Sequence, residues 1–150
     1  MSYKKTASAL LLCAAFAGVA FASPAYANGV VRVQQSDGSV RDYPQVRMAW
    51  TGQTLWLHSA DGKGVLQITT GACSYAGSVL RCLPYSITLH QSGKKHPIAI
   101  ANGTVYINLS GKTGHVPYSS RPIGPHGLMV AIKTQHGTFI TVRGHLDEVK

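Results

Sequence analysis

The sequence predicts an all-β protein, a single antiparallel β-sandwich or small β-barrel of about nine or ten short strands. Apolar and polar residues alternate over short runs, and turn residues interrupt the runs at regular intervals. β-Branched residues and glycines are scattered throughout, so no stretch has the pattern of a helix. Many short strands must close or stack to protect their edges, which favours a sandwich or a barrel without distinguishing between them.

The N-terminus has the three parts of a secretory signal peptide. Lys4 and Lys5 form a positive region, residues 7–22 are apolar and uncharged, and Ala25-Tyr26-Ala27 supplies the small residues of a cleavage site. We therefore expect residues 1–27 to be removed and residues 28–150 to form one β-domain without a transmembrane segment. The expected location is secreted, either the bacterial periplasm or the extracellular space.

The first half of the mature chain predicts two hairpins. Residues 31–33 and 40–43 alternate around the turn Ser36-Asp37-Gly38. Residues 46–50 and 54–58 follow on either side of a short turn. Leu55 and Leu57 are expected on one face of their strand, and Trp56 and His58 on the other.

The second half continues in the same rhythm and ends in a further hairpin. Turns are predicted at residues 60–64, at residues 92–95 and at the dipeptide Asn102-Gly103, which is a strong two-residue hairpin signal. Further strand segments are predicted at residues 65–70, 85–91, 98–100, 105–109, 128–133 and 138–143.

Two cysteines remain after loss of the signal peptide, which carries Cys13. In an oxidising compartment Cys73 and Cys82 have only each other as partners, and Ala76-Gly77-Ser78 lies between them as a turn. We expect a structural disulfide that joins the two arms of a hairpin. Closing a loop of about 10 residues stabilises by roughly 2.7 kcal/mol in the chain-entropy model.

The mature chain is strongly basic. The full sequence has 14 Lys and Arg against 5 Asp and Glu, and the predicted signal peptide removes only Lys4 and Lys5 from this balance. A net charge of about +7 attracts polyanions such as acidic glycans, anionic lipids or nucleic acid. Nucleic acid is the least expected of these, because the chain is exported and carries no known nucleic-acid-binding motif.

Catalysis by carboxylates is not expected. Only five acidic residues are present, and Asp37 and Asp61 each precede a glycine in a predicted turn, where the side chain bonds its own backbone. Ordinary glycoside hydrolysis needs two carboxylates beside the scissile bond. No Gly-x-Ser-x-Gly nucleophile motif is present either.

Histidines provide the alternative hypothesis of a cell-wall hydrolase. His136 with Gly137 and His145 with Leu146 resemble part of the HGxxxT…HL pattern of zinc peptidases that cut peptidoglycan cross-links. The upstream His-x-x-x-Asp of that family is missing, since Val130 stands four residues after His126. On this alternative, zinc or a metal-free mechanism would use residues among His115, His126, His136 and His145. Our first expectation is a domain without cofactor or metal.

The passage from Ser110 to Gly127 is the main candidate for a binding surface. It is eighteen residues long, polar and rich in proline and glycine, and connections of this length are uncommon in compact domains unless they bind or cover something. Cations with an interleaved tyrosine suit an anionic ligand, because Lys and Arg neutralise charge while Tyr offers a flat face. The candidate ligand-binding residues, including two in the preceding turn, are Lys94, Lys95, Lys112, His115, Tyr118, Arg121 and His126.

The sequence thus predicts a small secreted, non-catalytic β-domain that binds an anionic component of the cell envelope. Its ligand could be a glycan, a lipid or another polyanion. The identity of the ligand, the strand order and the oligomeric state do not follow from the pattern.

Overall fold

The structure, a computed structural model, describes residues 29–116 and 122–149, in which there are β-strands and no helix. The strands are β1 (Val30–Gln34), β2 (Val40–Tyr43), β3 (Arg47–Trp50), β4 (Thr54–His58), β5 (Gly64–Ala76), β6 (Val79–Gln91), β7 (Lys94–Ile98), β8 (Ile100–Asn108), β9 (Gly114–His115), β10 (Pro122–Ile123), β11 (Gly127–Thr134), β12 (Phe139–His145) and β13 (Glu148–Val149). The all-β prediction is confirmed. The predicted signal peptide lies outside the described residues.

Eleven of the strands form one sheet in the order β13-β3-β4-β5-β6-β8-β11-β12-β1-β2, with β7 paired to β6 beside β8. β9 and β10 form a separate two-stranded sheet. The prediction of nine or ten strands was too low, because the polar loop and the C-terminal residues add short ones. The sheet is mixed rather than purely antiparallel, since β13 runs parallel to β3.

Alternation along the strands creates one apolar core. On β4, Leu55 and Leu57 are buried while Trp56 is half-buried and His58 exposed, as predicted. The same core contains residues from β1, β3, β5, β6, β8, β11 and β12. A hydrogen bond of 2.9 Å from Val46 N to Gly29 O links the start of β1 to the start of β3, although these strands are far apart in the sheet order.

The predicted hairpin turns at Asp37-Gly38, at Asp61-Gly62 and before Ser78 are present. Each contains a glycine with positive φ, namely Gly38, Gly62 and Gly77. Asp37 Oδ1 accepts from Ser39 N at 2.8 Å, and this hydrogen bond holds the pKa of the Asp37 carboxyl below its ordinary value. These aspartates therefore have the local turn role that the sequence indicates.

The predicted disulfide is confirmed. Cys73 on β5 and Cys82 on β6 are directly opposite, with an S–S distance of 2.06 Å. The two strands continue beyond the predicted segments into a hairpin of two thirteen-residue arms. Cys82 is buried in the core and Cys73 is exposed.

The predicted turn at Asn102-Gly103 is wrong. Both residues lie inside β8, where Gly103 is opposite Ile132 of β11. A Cβ atom at Gly103 would lie 2.8 Å from Ala131 O, so glycine is required here for close approach of two strands. The separate turn predicted at residues 92–95 is present at Ser92 and Gly93, which both have positive φ.

Lys94 and Lys95 begin β7 and do not belong to the turn as predicted. In the described part of the chain, no helix is long and apolar enough to span a membrane.

Candidate functional site

One buried side chain organises the polar passage from Ser110 to Gly127. Asn108, at the end of β8, is 0% exposed. Its Nδ2 lies 2.8 Å from Lys112 O, 3.0 Å from Ile123 O and 3.0 Å from Gly124 O. Its Oδ1 accepts from Ser110 N at 3.0 Å. One amide therefore ties both ends of the passage to the main sheet.

Two apolar side chains anchor the passage from within. Val116 and Ile123 are buried and form a second cluster with Val79, against which Tyr106 and Met129 pack. Val79, Tyr106 and Met129 point away from the main core, because their neighbours along each strand belong to that core. The passage thus covers part of the outer face of the sheet.

His126 has an unusual backbone conformation in this passage. Gly127 N donates to Gly124 O at 2.9 Å, which closes a turn with Pro125 second and His126 third. The φ of His126 is 54°, and the third position of a type II turn normally requires glycine or asparagine. Hydrogen bonds from His126 N to Ser110 O and from Leu146 N to His126 O hold the peptide in place.

Two arginines on the strands lie beside the passage. Register places Arg81 (β6), Tyr106 (β8), Met129 (β11) and Arg143 (β12) in one row on the outer face. Arg143 Nη2 lies 3.9 Å from Met129 Sδ, so its guanidinium extends over the second cluster. Three strand spacings of about 4.8 Å separate Arg81 from Arg143, roughly 14 Å in all.

The passage adds further cationic or titratable side chains at this end of the sheet. Lys112, His115 and His126 are exposed there. His115 points outward, because its neighbours Gly114 and Val116 are buried against the second cluster. Tyr118 and Arg121 lie outside the described residues. We call Arg81, Lys112, His115, His126 and Arg143 the cationic face.

Lys94 and Lys95 do not belong to this face. Lys94 is opposite Gln91 at one end of β6, whereas Asn108 is opposite Val79 at the other end. At roughly 3.3 Å per residue the length of β6 separates these positions by about 40 Å. The predicted set of ligand-binding residues is therefore divided between two ends of the sheet.

All five acidic residues of the sequence are among the described residues. Asp37 and Asp61 are in hairpin turns, and Asp42 pairs with Arg32 at 2.7 Å. Asp147 follows His145 closely in sequence, but its Oδ2 accepts from Met48 N at 2.8 Å. The remaining acidic residue is Glu148 of β13. Asp37, Asp42 and Asp61 therefore lie on other elements than those that carry Arg81 and Lys112.

The histidines of the hydrolase hypothesis are not assembled into a metal site. His136 lies in the turn that joins β11 to β12, at the opposite end of these strands from His126 and His145. Within residues 29–116 and 122–149, no three His, Cys, Asp or Glu side chains are placed to hold a metal ion. The zinc alternative therefore receives no support from this part of the chain.

A groove at the edge of the sheet contains His58. It is lined by Arg47, Met48, His58, Asp147 and Glu148 among others. Partial burial lowers the pKa of the His58 imidazole, the charge of Arg47 lowers it further, and Glu148 opposes both. The alternation of β4 predicts that His58 faces outward, but nothing local in the sequence shows that the C-terminal residues lie beside it.

Comparison with protein-family models, with curated proteins and with solved structures gives no match for this chain. The cationic face is therefore interpreted from its own geometry and charge.

Proposed function

We propose that the protein is a non-catalytic β-domain that binds an anionic component of the cell envelope through the cationic face. The observation that carries this proposal is the grouping of Arg81 and Lys112 beside a surface passage whose two ends are tied to the sheet by Asn108, with Arg143 in the same row as Arg81. A cluster of one charge sign attracts a polyanion and releases its counterions on contact.

The anchored ends of the passage support a binding surface. Asn108 and the second apolar cluster hold its described residues, 110–116 and 122–127, to the sheet without a ligand. A surface that is ordered in advance loses little conformational entropy when it binds. Tyr106, half-buried between Arg81 and Met129, adds an aromatic side chain at the centre of the row.

We propose further that the sheet closes as a barrel around the single core. The hydrogen bond between Val46 and Gly29 supports closure, because it joins strands from opposite ends of the sheet order. Secretion to the periplasm or the extracellular space is also part of the proposal. It rests on the predicted signal peptide and is compatible with the disulfide of Cys73 and Cys82.

Elution from immobilised heparin under a salt gradient tests the proposal with two double variants of equal charge change. Arg81→Gln with Lys112→Gln removes two cations from the cationic face, and Lys94→Gln with Lys95→Gln removes two from the far end of β6. We expect the first double variant to elute at markedly lower salt. The slope of log affinity against log salt concentration should become less steep by up to about 0.9 for each lost contact. The second pair should elute close to the unchanged protein.

Vesicles and lipopolysaccharide distinguish the possible sources of the anion. Binding to vesicles that contain phosphatidylglycerol, with none to phosphatidylcholine vesicles, would identify a lipid headgroup. Retention on lipopolysaccharide or heparin without vesicle binding would identify a glycan. Equal elution of the two double variants would refute the cationic face as the binding site, and a larger effect of the Lys94 and Lys95 changes would move the site to the other end of the sheet.

A further inference from the structure

The strand β5 extends well beyond its neighbour on one side. The pairing of β4 with β5 ends at the residue pair Thr54 and Thr69. Beyond it, Thr70 N donates one more hydrogen bond, to Gln53 O at 2.8 Å. From Gly71 to Ala76, β5 pairs only with β6 among the described residues. We call residues 71–76 the open edge.

The backbone of the open edge presents hydrogen-bonding groups to solvent. Cys73 and Cys82 are directly opposite with a Cα–Cα distance of 4.0 Å, which is typical of a non-hydrogen-bonded pair in an antiparallel ladder. The N–H and C=O of Cys73 therefore point away from β6. Tyr75, two residues further and opposite Leu80, has the same orientation.

Other edges of the sheet carry the residues that normally prevent strand pairing. β7 has Lys94, Lys95 and Pro97, and β2 has Arg41 and Asp42. The open edge has the sequence GACSYA, which contains neither a charge nor a proline. Its Tyr75 side chain is 66% exposed.

We propose that two copies of this chain pair through their open edges in an antiparallel arrangement with the two-fold axis at Ser74. Cys73 of one copy then lies opposite Tyr75 of the other, and the two pairs exchange four backbone hydrogen bonds. Each exposed Tyr75 side chain is placed beside the disulfide of the other copy. The backbone N–H and C=O groups of Cys73 and Tyr75, which face solvent in a single copy, are thereby hydrogen-bonded to the other copy.

A second copy fits this edge better than a charged partner. It supplies a neutral extended strand of the same length, already held in shape by the disulfide of Cys73 and Cys82. The nearest cation, Arg81, is opposite Ser74 on β6. Three strand spacings therefore separate the two Arg81 residues by roughly 14 Å, more than the Debye length of about 8 Å at physiological salt.

Sedimentation equilibrium over a range of concentrations and salt tests the proposal. We expect a monomer–dimer equilibrium that salt strengthens, because each copy has a large positive net charge. Binding to a polyanion is weakened by salt, so the two effects have opposite signs and failure of one leaves the other intact. A monomer at millimolar concentration and high salt would refute the dimer, as would occupation of the edge by a different protein strand.

Two further measurements locate the contact. Ser74→Lys places two cations side by side at the axis and should raise the dimer dissociation constant by up to about fivefold. Ser36→Lys, at an exposed serine in the turn after β1, should leave it unchanged. Amide exchange of Cys73 and Tyr75 should slow at high protein concentration in the unmodified chain. A dimer that retains fast exchange at both amides would be formed through another surface and would overturn the assignment.

Discussion

Replacement of Asn108 by alanine should release the polar passage from the sheet. The two Nδ2 protons and Oδ1 allow at most three full hydrogen bonds among the four contacts that the side chain makes. At about 1 kcal/mol net for each bond, the loss is roughly 3 kcal/mol. Access of water to the freed carbonyls reduces this loss and their continued burial without a partner increases it, so the expected range is about 2–4 kcal/mol.

Urea unfolding and amide exchange measure this loss separately for the whole domain and for the passage. Ser110 N and His126 N should exchange faster in Asn108→Ala, and the heparin elution should shift to lower salt. Asn102→Ala is the matched control, since Asn102 is an exposed asparagine on the same strand, and its effect should be within about 0.5 kcal/mol. If Asn108→Ala changed the free energy of unfolding by less than its control and left exchange unaltered, the anchoring role would be wrong.

Three further predictions concern the disulfide, the strained turn and the groove. Replacing Cys73 and Cys82 together by alanine should cost about 2–4 kcal/mol in urea unfolding, and an unchanged midpoint would contradict a stabilising role. His126→Gly should relieve a left-handed backbone and stabilise by up to about 1 kcal/mol in urea unfolding, whereas His126→Ala should not, and equal midpoints for the two variants would contradict strain at this turn. Because the folded pKa of His58 is lowered, the unfolded chain binds its proton more readily, so stability from this residue is present above about pH 6.5 and is lost as pH falls. His58→Gln should reduce the decrease in the free energy of unfolding between pH 7.5 and pH 5, as measured by urea unfolding. An identical decrease in the variant and the unchanged protein would contradict the assignment.

Strands, hairpins and the disulfide were predictable because their causes are local. Alternation along residues 54–58 identifies the buried face of β4, and Asp37-Gly38 identifies a turn through its own backbone conformation. Cys73 and Cys82 have a single possible pairing. In each case the residues that determine the structure lie within nine positions of one another.

Features that depend on distant strands were not predictable. The dipeptide Asn102-Gly103 has the composition of a turn, but Gly103 is needed because β11 approaches it closely. Lys94 and Lys95 are near the polar passage in sequence and far from it in space, because β6 lies lengthwise between them. Arg81 and Arg143 join the cationic face only through strand register, which the local pattern does not specify.

The role of Asn108 also depends on distant contacts. Its acceptors are carbonyls of Lys112, Ile123 and Gly124, and no spacing rule connects them. A partial signal exists in the passage itself: Val116 and Ile123 are its largest aliphatic residues, and both are buried. Apolar residues isolated in a long polar segment are therefore candidates for anchors of an ordered loop.

Arg81 of the cationic face lies opposite Ser74 of the open edge, and this proximity would make dimerisation and polyanion binding dependent on each other. Arg81 belongs to the cationic face and lies one strand from the open edge. Pairing two copies at Ser74 would place their cationic faces on the same side of one continuous sheet, because Ser74 and Arg81 point to that side. A long polyanion could then contact both copies and reduce the repulsion between them. Thermodynamic linkage requires dimerisation to strengthen polyanion binding by the same factor by which the polyanion strengthens dimerisation. This effect should be large for long polyanions and much smaller for fragments too short to reach both cationic faces.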